Sequence, residues 1–223
     1  MWTEYRRRWP PEEHADDTLP LDGADDDRVD AECERVAERE RERISPALRD
    51  IESQDPSRHL TGFEHRLKGR DRIKEKVSVT INDFDLSPEE AVSLVPDTVR
   101  YTFQYTEASY TQGVREDITR LRERGFELDK LKNSWSCDQY KGINSQWTDS
   151  ATGQRFELQF HTRISFEAKQ LTHSAYERLR TRQPDKFEQM VLEAFQKKVT
   201  AEVPVPPGAA GIPDYPERGA DAR

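Results

Sequence analysis

Glu157, Gln159 and His161 alternate with Phe156, Leu158 and Phe160. A period-2 pattern of this kind puts a carboxylate, an amide and an imidazole on one face of a strand and three apolar side chains on the other. A rigid polar face can present a ligand set to a metal ion or to phosphate. The same pattern also describes a half-buried antiparallel strand with a wet polar face. A second set is basic: Arg66 and Lys68, then Arg70, Arg72, Lys74 and Lys76. Guanidinium binds phosphate bidentately and ammonium acts as a point charge, so this fork at a strand-to-helix junction suits a triphosphate. A basic surface helix accounts for it equally. The third feature is Asp97, which follows Pro96 and opens a strand. A carboxylate there can bind a hard cation such as Mg²⁺, or simply shape a turn. Asp97 and Glu157 on adjacent strands would offer two oxygen ligands.

The elements that must position these residues follow from periodicity. Arg28 to about Ser53 has helical spacing, with sparse apolar positions among Glu/Arg pairs and Pro46 placed to kink or split it. His59 to Lys68 reads as a loop and then a short strand through Leu60, Phe63 and Leu67. Gly69 to about Val79 reads as a basic helix. Ser87, Pro88 and Glu90 form a helix-start signature. Asp97 to Tyr105 is a strand with Val99, Tyr101, Phe103 and Tyr105 on one face. Ser109 to Arg124 is an amphipathic helix stopped by Gly125. Strands follow at Phe126 to about Leu131, Gly142 to Thr148 and Phe156 to Thr162. The helix from Ile164 to Arg182 carries an apolar stripe at Ile164, Ala168, Leu171, Ala175 and Leu179. The helix from Phe187 to Val199 carries Met190, Val191, Ala194 and Phe195. This order implies an α+β domain, a mixed sheet of about five strands flanked by helices.

Composition bounds the rest. The chain has 223 residues, 33% hydrophobic and 35% charged, with a formal net charge of −9. So polar a sequence cannot pack along its whole length. Residues 1–26 and the Pro/Gly/Ala-rich residues 203–223 are expected to be disordered tails around a domain at 27–202. The negative charge argues against a general nucleic-acid binder. No apolar run approaches the ~20 residues that cross a membrane. The two cysteines, Cys33 and Cys137, make no disulfide framework, and a reducing cytoplasm is the expected location.

From about His65 to Tyr176 the chain resembles the synthetase domain of the RelA/SpoT family, the alarmone synthetases, in a divergent, toxin-like, small single-domain form. Arg66, Leu67 and Lys68, with Lys76 one helix further on, resemble the family's ATP-binding element. Asp97, within Val95 to Arg100, resembles its Mg²⁺-binding aspartate. Lys132 resembles the lysine before its acceptor loop, and Lys141 to Ser145 resembles that loop. Glu157 to Thr162 resembles its Glu-x-Gln-x-Arg-Thr strand, and His173 a histidine on the next helix. Two positions depart from the pattern: Ile143 stands where the family has a base-stacking Tyr, and His161 where it has an Arg.

The resemblance implies a nucleotidyltransferase-like synthetase fold that transfers pyrophosphate from ATP to a 3′-hydroxyl, with Mg²⁺. It implies that Arg66, Lys68, Arg72 and Lys76 hold ATP, and that Asp97 and Glu157 bind the metal. Glu157 acts as general base, oriented by Gln159. Lys132, Lys141, Asn144, His161 and His173 contact the acceptor. The acceptor is a guanosine or adenosine nucleotide or a tRNA 3′ end, since Ile143 cannot stack as a ring does. A toxin-like member would have an antitoxin or immunity protein as partner, and could enter a target cell as part of a larger toxin. Two other readings remain open: a metal-dependent RNase using His161, Glu167 and His173, and a non-catalytic domain that binds a nucleotide or protein.

Overall fold

The computed structural model describes residues 21–84, 86–181 and 184–216. Helix α1 (Gly23–Arg39) runs through a π turn (Glu40–Ile44) into α2 (Ser45–Ser53). Strand β1 (Arg58–Leu60) and a 3₁₀ turn (Phe63–His65) precede α3 (Arg70–Phe84) and α4 (Pro88–Ser93). Then come β2 (Arg100–Tyr105), α5 (Tyr110–Glu123), β3 (Phe126–Asn133), β4 (Ile143–Asp149), β5 (Arg155–Thr162), α6 (Arg163–Thr181), α7 (Lys186–Ala201) and a 3₁₀ turn (Ala209–Gly211).

Pro46 explains the π turn. It has no N–H to donate one turn back, and its ring crowds that carbonyl, so the helix widens just before it. Ser87 and Glu90 close a capping box at the start of α4. Gly125 ends α5 with φ 82°, a conformation open to a residue without Cβ.

The strands form one sheet in the order β1-β2-β5-β4-β3. Only β2 and β5 run parallel; the other pairs are antiparallel. One face carries Tyr101, Phe103, Tyr105, Ile143, Trp147, Phe156, Leu158 and Phe160, all buried in the core with Ile44, Leu48, Ile51, Tyr110, Val114 and Leu121 from the helices. The alternation of β5 thus sets the core, and the polar side chains take the opposite face.

Four expectations need correction. The polar face of β5 is not wet along its length: Gln159 is 4% and His161 0% exposed, because α6 folds back over it. The strand expected through Phe63 lies earlier, at Arg58–Leu60, and Leu67 makes only a single bridge to Val99. Helix α7 is turned from its expected face. It buries Leu192 and Val199, while Phe187 is 71% and Met190 59% exposed. Two adjacent apolar faces compete on that helix, and anchors outside it choose: Arg178 pairs with Glu188, and Thr200 Oγ1 donates to the Asp138 carbonyl.

The fourth concerns the ends. The expected N-terminal tail lies outside the described residues as far as residue 20, but helix already begins at Gly23, with Asp22 as N-cap and Asp25 and Asp26 in its first turn. Residues 203–216 are not a loose tail. Val203, Ala209 and Ile212 are buried. Asn133 Nδ2 donates to the carbonyls of Ala209 and Ile212 at 2.8 and 2.7 Å. Leu131 and Tyr215 exchange backbone hydrogen bonds at 2.8 and 2.9 Å. The segment covers edge strand β3, whose unpaired backbone groups would otherwise be open. The remaining residues, 217–223, lie outside the described ones. Among the described residues, no helix is long and apolar enough to cross a membrane.

Candidate active site

The basic and acidic sets meet beside the start of β2. The Lys68 N–H donates to the Thr98 carbonyl at 2.9 Å, and the Arg100 N–H to the Arg66 carbonyl at 2.7 Å. These bonds lay the segment containing Lys68 against Asp97. Lys68 Nζ donates to one Asp97 oxygen at 2.6 Å and Lys76 Nζ, from α3, to the other at 2.9 Å. Burial works to raise the Asp97 pKa, but the two ammonium groups outweigh it and hold it at about 2. Burial pulls the Lys68 pKa down, against the attraction of Asp97.

The low value has a consequence for acid stability. A carboxyl whose pKa is depressed on folding stabilises the native state above its unfolded pKa and stops doing so as pH falls through its folded one. In the metal-free protein, Asp97 contributes about 2 kcal/mol near neutrality, lost between about pH 4 and pH 2. Urea unfolding at pH 5 and pH 3 should show a smaller loss for Asp97→Asn than for wild type. Equal losses would contradict the clamp.

Arg66 and Arg72 stand apart from this clamp. Arg66 Nε donates to buried Glu40 at 2.8 Å, and its guanidinium stacks on Phe63 at 4.4 Å. Glu40 also takes bonds from Ser45 and Tyr101. Arg72 pairs with Glu75 at 3.0 Å on the exposed side of α3.

Register lays polar side chains in rows across the sheet. Arg100, Glu157 and Gln146 are successive cross-strand partners, as are Thr102, Gln159, Asn144 and Lys132. The Glu157 N–H donates to the Val99 carbonyl at 2.8 Å, two residues after Asp97. The Gln159 amide donates to Glu157 Oε1, and Lys169 Nζ on α6 donates to the Gln159 carbonyl oxygen. Gln159 therefore links the Glu157 carboxylate to Lys169. Burial, then the nearby Arg100, bring the Lys169 pKa down to about 8, with Glu157 acting against them.

The expected acceptor residues divide. Asn144 shares the face of Glu157, and its Oδ1 accepts from Tyr140 at 2.7 Å. Lys132 is exposed on the same face of edge strand β3. His173 lies one turn beyond Lys169; partial burial lowers its pKa, Glu177 opposes this, and Lys169 and Arg100 add to it.

His161 is corrected as an acceptor contact. It has no exposed surface, and its Nε2 and Nδ1 bond Tyr140 and Ser165, each at 2.9 Å. Burial drives its pKa well below the usual range, so it is neutral. Lys141 differs: it is half-buried, and one N–H of its ammonium closes the loop by donating to the Trp135 carbonyl at 2.9 Å, which leaves two others. Ile143 points to the core, away from Glu157. The RNase ligand set also fails: His161 is sealed, Glu167 pairs with Arg163 at 3.0 Å, and among the described residues no three His, Cys, Asp or Glu gather as metal ligands.

Gly142 closes against His161. Its φ is 150°, and a Cβ there would lie 2.6 Å from the imidazole Cε1. Gly142→Ala should therefore cost about 1–3 kcal/mol in urea unfolding; an unchanged midpoint would show that the loop gives way freely.

Lys169 escaped the reading of the sequence. Its signal was spacing: Lys169 and His173 are four apart, beside the apolar stripe of α6, and so share a face.

No protein-family model matches the sequence, and no curated protein does. Solved structures do match. They include smu.1046c from Streptococcus mutans UA159, at TM-score 0.52 and 17% identity over 78% of this chain and 90% of that one. A GTP pyrophosphokinase family protein from Streptococcus pneumoniae matches at 0.51 and 16% over 81% and 90%. The small alarmone synthetase 1 from Bacillus subtilis matches at 0.50 and 14% over 78% and 90%. The five-stranded mixed sheet with its flanking helices is the α+β fold of the small alarmone synthetases and GTP pyrophosphokinase family proteins.

Proposed function

We propose that this chain is an ATP-dependent pyrophosphokinase acting on the 3′-hydroxyl of a nucleotide or of a tRNA 3′ end. The observation that carries the reading is the Lys68–Asp97–Lys76 clamp at 2.6 and 2.9 Å, two residues from the backbone that holds Glu157. The fold shared with GTP pyrophosphokinase family proteins supports it.

The donor set fits Mg²⁺. Asp97 is ionised throughout the physiological range, and Glu157 adds a second oxygen donor. Phosphates and water can complete the oxygen shell that Mg²⁺ prefers. When bound, Mg²⁺ supplies neutralisation of phosphate charge. Lys68 and Lys76 exchange Asp97 for phosphate oxygens, and Arg66 offers the outer edge of its fork. Glu157 takes the proton of the acceptor hydroxyl, with Gln159 fixing its orientation. The acceptor oxygen bonds to the β-phosphorus, the bond from that phosphorus to the oxygen bridging toward the α-phosphate breaks, and AMP leaves with the bridging oxygen.

With Ile143 in the core, the acceptor meets Asn144, Gln146 and Lys132 rather than a ring in that position. Guanosine and adenosine nucleotides and a tRNA 3′ end all remain acceptors to assay. A growth-inhibiting toxin acting in the cytoplasm, restrained by an antitoxin or immunity protein, is the biological setting we infer.

The test is release of labelled AMP from ATP labelled at its α-phosphate, with Mg²⁺ and GDP, GTP, ADP, unlabelled AMP or bulk tRNA. AMP formed in step with one acceptor is the expected result. Tight ATP binding without AMP would point to a binding domain, and neither binding nor AMP would overturn the reading.

A further inference from the structure

We propose that Arg100, Lys169 and His173 form an anion subsite beside Glu157 that takes a phosphate or pyrophosphate group. The three come from two elements that pack together, β2 and α6; Arg100 acts on the ionisation of both Lys169 and His173, and Lys169 on that of His173, one turn further along α6. Lys169 spends one N–H on Gln159 and keeps two, with its ammonium 5.4 Å from the Phe166 ring centre. Arg100 is exposed, and its guanidinium has no hydrogen-bond partner among the described residues. Across the sheet its cross-strand neighbour is Glu157, the anion facing this group from β5. On α6, Glu177 is already paired with Arg180 at 3.1 Å. Arg100 and Lys169 thus face the Glu157 carboxylate, with Glu177 the acid nearest His173, and an entering phosphate relieves the repulsion among the cations. The ammonium of Lys169, already depressed, gains most from such a partner.

That the anion is the pyrophosphoryl group in transit rests on the function proposed above. It would sit between the Lys68–Asp97–Lys76 clamp and the base Glu157, where charge moves during transfer.

The test uses inorganic pyrophosphate and the full chain labelled at its lysine side chains for NMR. The Lys169 signal is assigned by its loss in Lys169→Arg. It is expected to shift on titration, and Lys169→Met is expected to weaken pyrophosphate about tenfold while Lys169→Arg stays within about threefold. Shifts confined to Lys68 and Lys76, no shift at any lysine, or equal weakening in both variants would overturn the subsite. Transfer is assayed alongside. A moving Lys169 signal in a protein that transfers nothing to any acceptor overturns the pyrophosphokinase and keeps the subsite. Active transfer with a silent Lys169 does the reverse.

Discussion

Glu157→Ala is expected to lower pyrophosphoryl transfer by about 10³-fold while leaving the fold and the metal-free affinity for ATP intact. The carboxylate lies on the polar face of β5, outside the core formed by Phe156, Leu158 and Phe160. Its loss therefore removes the proposed base and metal ligand without opening a cavity. In the proposed function the triphosphate grip belongs to Lys68 and Lys76, which contact Asp97. Glu157→Gln sharpens the test, because its amide oxygen can still accept from Gln159 but cannot take a proton. Both variants should be equally inactive and equally stable. Full activity in Glu157→Gln would remove the base from the mechanism.

The largest effect on stability is expected at Asp117. Arg58 on β1 and Asp117 on α5 are both 0% exposed and pair directly. Asp117 also accepts from Tyr105 Oη at 2.7 Å and from Arg120 at 2.8 Å. Asp117→Ala strands the Arg58 guanidinium, whose remaining anion, Asp55, is 3.6 Å away. Breaking a buried pair from one side costs about 3–5 kcal/mol. Arg58→Met with Asp117→Leu should cost less than Asp117→Ala alone, because no charge is left buried. Urea unfolding of the three proteins decides it. A double variant worse than the single would mean that the pair itself holds β1 to α5.

This pair shows where a sequence stops being legible. Period-2 patterning disclosed β2 and β5, and the 3.6-residue stripes disclosed α5 and α6, because burial of one face is written into residue type. Arg58 sits in a stretch with no such alternation, so β1 was placed too late; a buried ion pair holds it there. The apolar residues Val203, Ala209 and Ile212 were hidden among prolines and glycines, and nothing local shows that edge strand β3 needs covering. In the site, the residue types around Asp97 and Glu157 suggest phosphate and metal chemistry, and the structure brings Lys68, Lys76 and Asp97 together. The sequence could not show which polar groups satisfy each other. His161 has the right type and position, yet Tyr140 and Ser165 take both of its ring nitrogens. Lys169 became visible only when α6 was laid over the polar face of the sheet.

The central claim is tested most directly by following ATP labelled at its β-phosphate, with Mg²⁺ and each candidate acceptor, in wild type and Glu157→Ala side by side. Label should move onto one acceptor in wild type and stay on ATP in the variant. Label that remains on ATP in both, or that moves equally in both, would contradict a pyrophosphokinase built around Glu157.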